Sequence, residues 1–192
     1  VLAGNDFSYA AAHGIELTFS EQNVIQGNRL VENAICGIWG GYSSDSLIEG
    51  NQIEGNGGMA YGLERGGANL EHASNVRFLR NIFRNNKCAL HLWWDNDGAL
   101  LKLPGVAGND RGVSGNVIAG NTFEIDDRHP FKTLRGTEKL IVLQLRDDGT
   151  NHVRENGYFK NTVRLTATNA IEFAVKPGCE PVTEGQLPPS AD

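Results

Sequence analysis

Glu16, Trp39, Glu64 and His91 close four short segments of like pattern: His13-Gly14-Ile15-Glu16, Cys36-Gly37-Ile38-Trp39, Tyr61-Gly62-Leu63-Glu64 and Cys88-Ala89-Leu90-His91. Set in one outward column they interleave two carboxylates, an indole and an imidazole, where a purely structural surface would carry Thr, Ser, Lys or Asn. Beside them the sequence places Arg65, Glu71 and His72, then Trp94, Asp95, Asp97 and Lys102. Two carboxyl groups serve glycoside hydrolysis when about 5–5.5 Å apart for retention or about 6.5–9.5 Å apart for inversion. Strands about 4.8 Å apart put side chains one or two coils away into that range. Proton abstraction beside a uronate carboxylate needs instead a cation to offset its charge and a base to take the proton. Arg65, Lys102 or a carboxylate-bound Ca²⁺ could serve as the cation, and His72, His91 or Arg65 as the base. The expected catalytic groups are therefore Glu64, Arg65, His72, His91 and Asp95. The expected substrate contacts are Glu16, Trp39, Glu71, Trp94, Asp97 and Lys102. An exposed indole offers an apolar plate to the C–H face of a sugar and keeps an N–H donor free, which suits Trp39 and one of the pair Trp93-Trp94. Strand alternation turns the other of that pair inward.

These side chains share a column only if the backbone keeps a register, and the spacing of asparagines supplies one. Gly4-Asn5, Gly27-Asn28 and Gly50-Asn51 recur every 23 residues, and Arg80-Asn81 and Gly120-Asn121 follow at 30 and 40. Two residues after each asparagine stands an apolar side chain: Phe7, Leu30, Ile53, Phe83 and Phe123. A second polar corner follows most of them, at Asn33, Asn56, Asn86 and Asp126. A unit this short cannot bury a core alone and must stack on its neighbours, which defines a solenoid. Short alternating stretches such as Ile15–Phe19, Ile82-Phe83 and Leu140–Leu143 read as strands. Asparagine tolerates left-handed backbone and bonds locally, so it suits the corner between two strands. Stacked coil upon coil, its amides also form a ladder.

These GN-x-[LIF]-x-x-N units resemble the repeats of the right-handed parallel β-helix proteins of the pectate-lyase-like superfamily, over about residues 1–123 and more loosely beyond. The resemblance implies an all-β, single-stranded parallel β-helix and, as function, a polysaccharide-active protein, lyase or C5-epimerase-like ahead of glycoside hydrolase. The alternative is a non-catalytic carbohydrate-binding or structural scaffold. Such repeats specify a fold and not a chemistry. The tandem-Asp and Gly-His-Gly signatures of polygalacturonase-like hydrolases are absent. The Asp-Pro-His-Asp-Asp motif of mannuronan epimerases has only a faint echo in Trp94-Asp95-Asn96-Asp97, so no catalytic residue is carried over from either family. Asp95-Asn96-Asp97-Gly98 resembles the start of a calcium loop but lacks its later acidic ligands, so Ca²⁺ is the one cofactor in view and no metal ligand is assigned.

A net charge of −6 and a pI near 5.4 give no electrostatic footprint for nucleic acid, and no apolar run reaches the length of a membrane span. The expected partner is a polysaccharide or oligosaccharide, and the expected location is secreted, periplasmic or cell-surface. Val1 reads as the tail of a coil, which implies self-association or adjoining coils at an open N-terminal edge. Coils are expected over residues 1–176, with an insertion at about 96–112, looser repeats after about 124, and a tail or linker at 177–192. Cys36 and Cys88 are expected in one column with the Tyr61 coil between them, about 9–10 Å apart and beyond disulfide reach.

Overall fold

A computed structural model describes residues 1–108, 110–131 and 138–189. Three long parallel sheets carry the chain, each contributing one strand per coil. Sheet 1 stacks Leu2–Ala3, Val24–Gln26, Leu47–Glu49, Arg77–Leu79, Val117–Ala119 and Gly157–Phe159. Sheet 2 stacks Arg29–Val31, Gln52–Glu54, Ile82–Arg84, Thr122–Ile125 and Thr162–Leu165. Sheet 3, with the longest strands, stacks His13–Thr18, Cys36–Gly41, Gly66–Glu71, Cys88–Trp94, Leu140–Asp147 and Ala170–Val175. In each sheet chain order equals stacking order, the topology of a parallel β-helix.

The asparagines build the corner between sheets 1 and 2. Asn28 donates its backbone N–H to Asn51 Oδ1 at 2.8 Å, Asn51 to Asn81 at 2.9 Å and Asn81 to Asn121 at 2.9 Å, and each side-chain amide adds a parallel bond to the same oxygen. The other amide hydrogen reaches back to a carbonyl of an earlier coil, so these buried side chains are fully engaged. The residue before each asparagine turns the corner with positive φ, at 61° for Gly27, 63° for Gly50 and 66° for Gly120, and Arg80 takes the same conformation at 54°. The ladder runs one rung further than expected: Asn121 N donates to Asn161 Oδ1 at 2.9 Å. A second ladder joins Asn33, Asn56 and Asn86, at 2.9 and 3.0 Å. Asp126, expected as its next member, instead takes Asn85 as partner, with Asp126 N 2.9 Å from Asn85 Oδ1. Asn161→Ala strips Asn121 of two bonds near the end of the stack. The expected cost is about 1–2 kcal/mol, read as a lowered thermal midpoint with an unchanged β signal.

Inside, Leu30, Ile53, Phe83, Phe123 and Val163 pair rung by rung in sheet 2. Leu30, Ile53 and Phe123 are wholly buried, and the Phe83 and Phe123 rings stack with centroids 5.1 Å apart. Half-buried Phe7 packs on the same core. Apolar positions of sheet 3, Ile15, Ile38, Leu90 and Leu143, complete it from the opposite wall.

The register of one coil differs from expectation. Gly66-Gly67-Ala68-Asn69, and not Tyr61-Gly62-Leu63-Glu64, aligns with Cys36-Gly37-Ile38-Trp39. Steric room dictates this: a Cβ on Gly37 would lie 2.8 Å from Gly67 O, and one on Gly67 2.5 Å from Ala89 O, whereas one on Gly62 would meet nothing. The coil between Cys36 and Cys88 is thus represented by Gly66, and Tyr61 lies on an excursion before the strand. All three cysteines are free and buried. The insertion after Trp94 holds a 3-10 turn, Leu100–Lys102, and one helical turn, Pro104–Ala107. Beyond Pro177 the chain returns along sheet 1, where Val182 bridges Gly157 and the Pro188 carbonyl accepts from Arg80. Asn109 of the insertion and residues 190–192 of the expected tail lie outside the described residues.

Candidate functional site

The outer face of sheet 3 carries the column that the sequence pointed to, with Asn69 in the place expected for Glu64: Glu16, Trp39, Asn69, His91 and Gln144 are paired across successive strands. It is not an open groove. Glu16 is exposed and Trp39 half-buried against His13, but Asn69 and His91 have no exposed surface. The excursion before Gly66 lies over them, with Leu63 O 2.8 Å from His91 Nδ1 and the Asn69 side chain at the same distance. His91 Nε2 has no partner among the described residues. Burial holds the imidazole neutral, with its pKa pushed down to about 3. A ring so enclosed cannot reach substrate in this conformation, so His91 is not placed as a catalytic base. Glu64 and Arg65 sit on the same excursion and line a recess with Tyr61, Lys87 and Glu138, outside the paired positions of the column. Their displacement follows from the register above. Lys102 is exposed on its 3-10 turn.

Titratable and aromatic side chains converge three residues further along, where sheet 3 turns its corner. Phe19, Tyr42 and His72 each follow a strand of sheet 3 and each has positive φ, at 49°, 56° and 47°. That backbone turns all three rings into one stack, which Trp94 and His152 extend. Centroid separations run 5.1 Å for Phe19–Tyr42, 4.4 Å for Tyr42–His72, 5.4 Å for His72–Trp94 and 3.5 Å for Trp94–His152. Of the adjacent tryptophans, Trp93 pairs with Glu71 on the outer face and Trp94 joins the core at the corner, and both are buried.

Carboxylates surround His72. Its Nδ1 lies 3.2 Å from Asp110 Oδ1, and its Nε2 lies 3.4 Å from Asp95 Oδ1 and 3.7 Å from Glu71 Oε1. Asp110 comes from the insertion and also accepts from Gly112 N at 2.9 Å and Trp94 Nε1 at 3.3 Å. Burial works against the Asp110 carboxylate, but the bonds from His72, Gly112 and Trp94 hold it down at about 2. Burial, then the charge of Asp95, pushes Glu71 up to about 7. Burial likewise opposes a charge on His72, and Asp110, Asp95 and Glu71 outweigh it, so its pKa is raised. Asp97 adds to the field felt by Glu71 and Tyr42. One donor atom from each of Glu71, His72 and Asp95 falls within 4.8 Å of the others, so that among the described residues these three could hold a metal. A small pocket of about 90 Å³ opens beside the cluster, lined among others by Phe19, Tyr42, His72, Ser74, Val106 and Asp110.

Of the residues singled out by sequence, Glu71, His72, Trp94, Asp95 and Asp97 belong to this corner, and Glu16, Trp39, Glu64, Arg65, His91 and Lys102 do not. Sequence reasoning missed Phe19, Tyr42, Asp110 and His152. A signal existed for the first two: Phe19, Tyr42 and His72 recur at 23 and 30 residues, the intervals of the asparagines. Asp110 and His152 lie in non-repeating segments and carry no such mark.

Parallel coils stacked on asparagine corners define a β-helix protein. Residues 1–102 match the family model of the right handed beta helix region, and the chain belongs to that family. No curated protein and no solved structure matches it.

Proposed function

We propose that the protein binds a polysaccharide in the corner pocket of sheet 3 and acts on it there, by lyase- or epimerase-type proton transfer ahead of hydrolysis. The observation that carries this reading is the aromatic stack ending in an exposed Phe19, 52% accessible, next to a carboxylate-ringed imidazole. Phe19 and Tyr42 offer the apolar plate that a pyranose ring needs. Glu71, His72 and Asp95 supply the polar groups where that plate ends. The imidazole of His72 stands between Glu71 and Asp95, 3.7 Å and 3.4 Å from their oxygens, where it can exchange a proton, and this ranks proton transfer first. The column of Glu16, Trp39 and His91 has no part in it. Its burial at Asn69 and His91 favours a second reading, a glycan-binding scaffold without turnover.

A glycan screen on the full chain, followed by absorbance of unsaturated uronate and chain-length analysis on each hit, separates the two. Phe19→Ala is expected to raise Kd by about 3–10-fold, the equivalent of one lost stacking contact. His72→Ala and Glu71→Gln are expected to abolish turnover with the β signal retained. Binding without product from any hit supports the scaffold, and no glycan binding at all overturns both readings.

A further inference from the structure

Both ring nitrogens of His72 face carboxylate oxygens, Nδ1 that of Asp110 and Nε2 those of Asp95 and Glu71. A neutral imidazole donates from one nitrogen only. Asp110 is the better acceptor for it: its Oδ1 is the nearest carboxylate oxygen to the ring, 3.2 Å from Nδ1, and Asp110 is fixed in place by Gly112 N and Trp94 Nε1. With Nδ1–H given to Asp110, Nε2 of a ring only 4% exposed carries a lone pair and no donor partner. It faces Asp95 Oδ1 at 3.4 Å and Glu71 Oε1 at 3.7 Å. Such a gap is filled by a proton or by a metal ion.

We infer that Glu71, His72 and Asp95 form a divalent-metal site of the tetrahedral nitrogen–oxygen kind that suits Zn²⁺, with Asp110 as the outer partner that orients the imidazole. Zn–N and Zn–O bonds of about 2.0–2.2 Å at tetrahedral angles separate ligand atoms by roughly 3.3–3.6 Å. From Nε2, the 3.4 Å to Asp95 falls within that spacing and the 3.7 Å to Glu71 just beyond it. A histidine ligand that gives its second N–H to a carboxylate is the usual way a protein fixes tautomer and ring orientation at a metal. Ca²⁺ fits less well, because it calls for six to eight oxygens and has no use for an imidazole. Among the described residues three protein donors converge, which leaves a fourth position open, and the Asp95 side chain, 36% exposed, marks the route in from solvent. The site follows from donor geometry and does not depend on the glycan reading.

The test uses the full chain freed of metal with a chelator and titrated separately with Zn²⁺, Co²⁺ and Ca²⁺. One Zn²⁺ per chain is expected, with micromolar or tighter affinity. Co²⁺ is expected to give the intense visible absorption of a tetrahedral ion, a readout that needs no variant. His72→Ala and Asp95→Asn are each expected to weaken Zn²⁺ uptake at least 100-fold, and Asp110→Asn about 10–100-fold. Uptake of Ca²⁺ alone, an octahedral Co²⁺ spectrum, or Zn²⁺ uptake unchanged in His72→Ala overturns the inference. So does a nitrogen NMR signature of a doubly protonated His72 that persists under excess Zn²⁺, because the proton then holds the gap. No readout involves a glycan, so failure here leaves the functional reading to its own test.

Discussion

Ile53→Asp is expected to abolish cooperative folding. Ile53 has no exposed surface and sits in register between Leu30 and Phe83, so its side chain has only apolar neighbours above and below. The substitution forfeits about 2–3 kcal/mol of apolar burial and forces a carboxylate into a site without a partner, at a cost of several kcal/mol more. A domain is stable by only about 5–15 kcal/mol, and in a solenoid the loss at one rung is passed to its neighbours. The expected result is loss of the β signal in circular dichroism at 25 °C, or a broad non-cooperative melt. Ile82 provides the control. It lies next to Phe83, points outward and is 41% exposed, so Ile82→Asp is expected to move stability by no more than about 0.5 kcal/mol. Equal behaviour of the two variants would mean that the inward column has been wrongly assigned.

Sequence made this column legible because a β-helix writes the same constraint several times. Each asparagine is bound to the next by two hydrogen bonds, and the apolar residue two places on must enter the core, so both marks recur at one interval. Legibility was incomplete at Asn161, which carries the same mark as its predecessors: Lys160 takes the positive-φ corner, at 54°, as Arg80 does before Asn81, and Val163 stands two places on. It failed more seriously at Glu64. Two glycine-containing segments competed for one strand, and only close approach of backbones decides between them, which is a property of the stacked coils and not of either segment. Misplacing that strand by five residues put Glu64 where Asn69 stands and made the covered column look like an open groove. His72 was a candidate for its type and for its place beside the expected column. Its partners, Tyr42 from the coil before and Asp110 from the insertion, are neighbours only in three dimensions.

The covered column yields the second large effect, an acid instability centred on His91. Burial comes first in keeping this imidazole neutral, and the charges of Arg65 and Arg146 act in the same direction. The Leu63 carbonyl and Asp148 act in the opposite sense and do not prevail, so the pKa falls to about 3. Protonation would require a second N–H on a ring whose Nε2 has no acceptor. In the unfolded chain the same group titrates near 6.5. Between these values the unfolded state binds the extra proton and the folded state does not, so stability must fall as pH falls. The contribution is fully present above about pH 6.5 and declines by about 1.4 kcal/mol per pH unit below it, to a loss of roughly 3 kcal/mol at pH 4. His91→Gln fills similar space without a titrating group. Urea unfolding of both chains from pH 7 to pH 4 isolates the effect, since the carboxylates are common to the two. The wild type is expected to lose stability more steeply over this range, whatever the offset between the chains at pH 7. Parallel curves would show that His91 accepts its proton without unfolding, and so that the excursion carrying Leu63 swings away from the sheet to let water in.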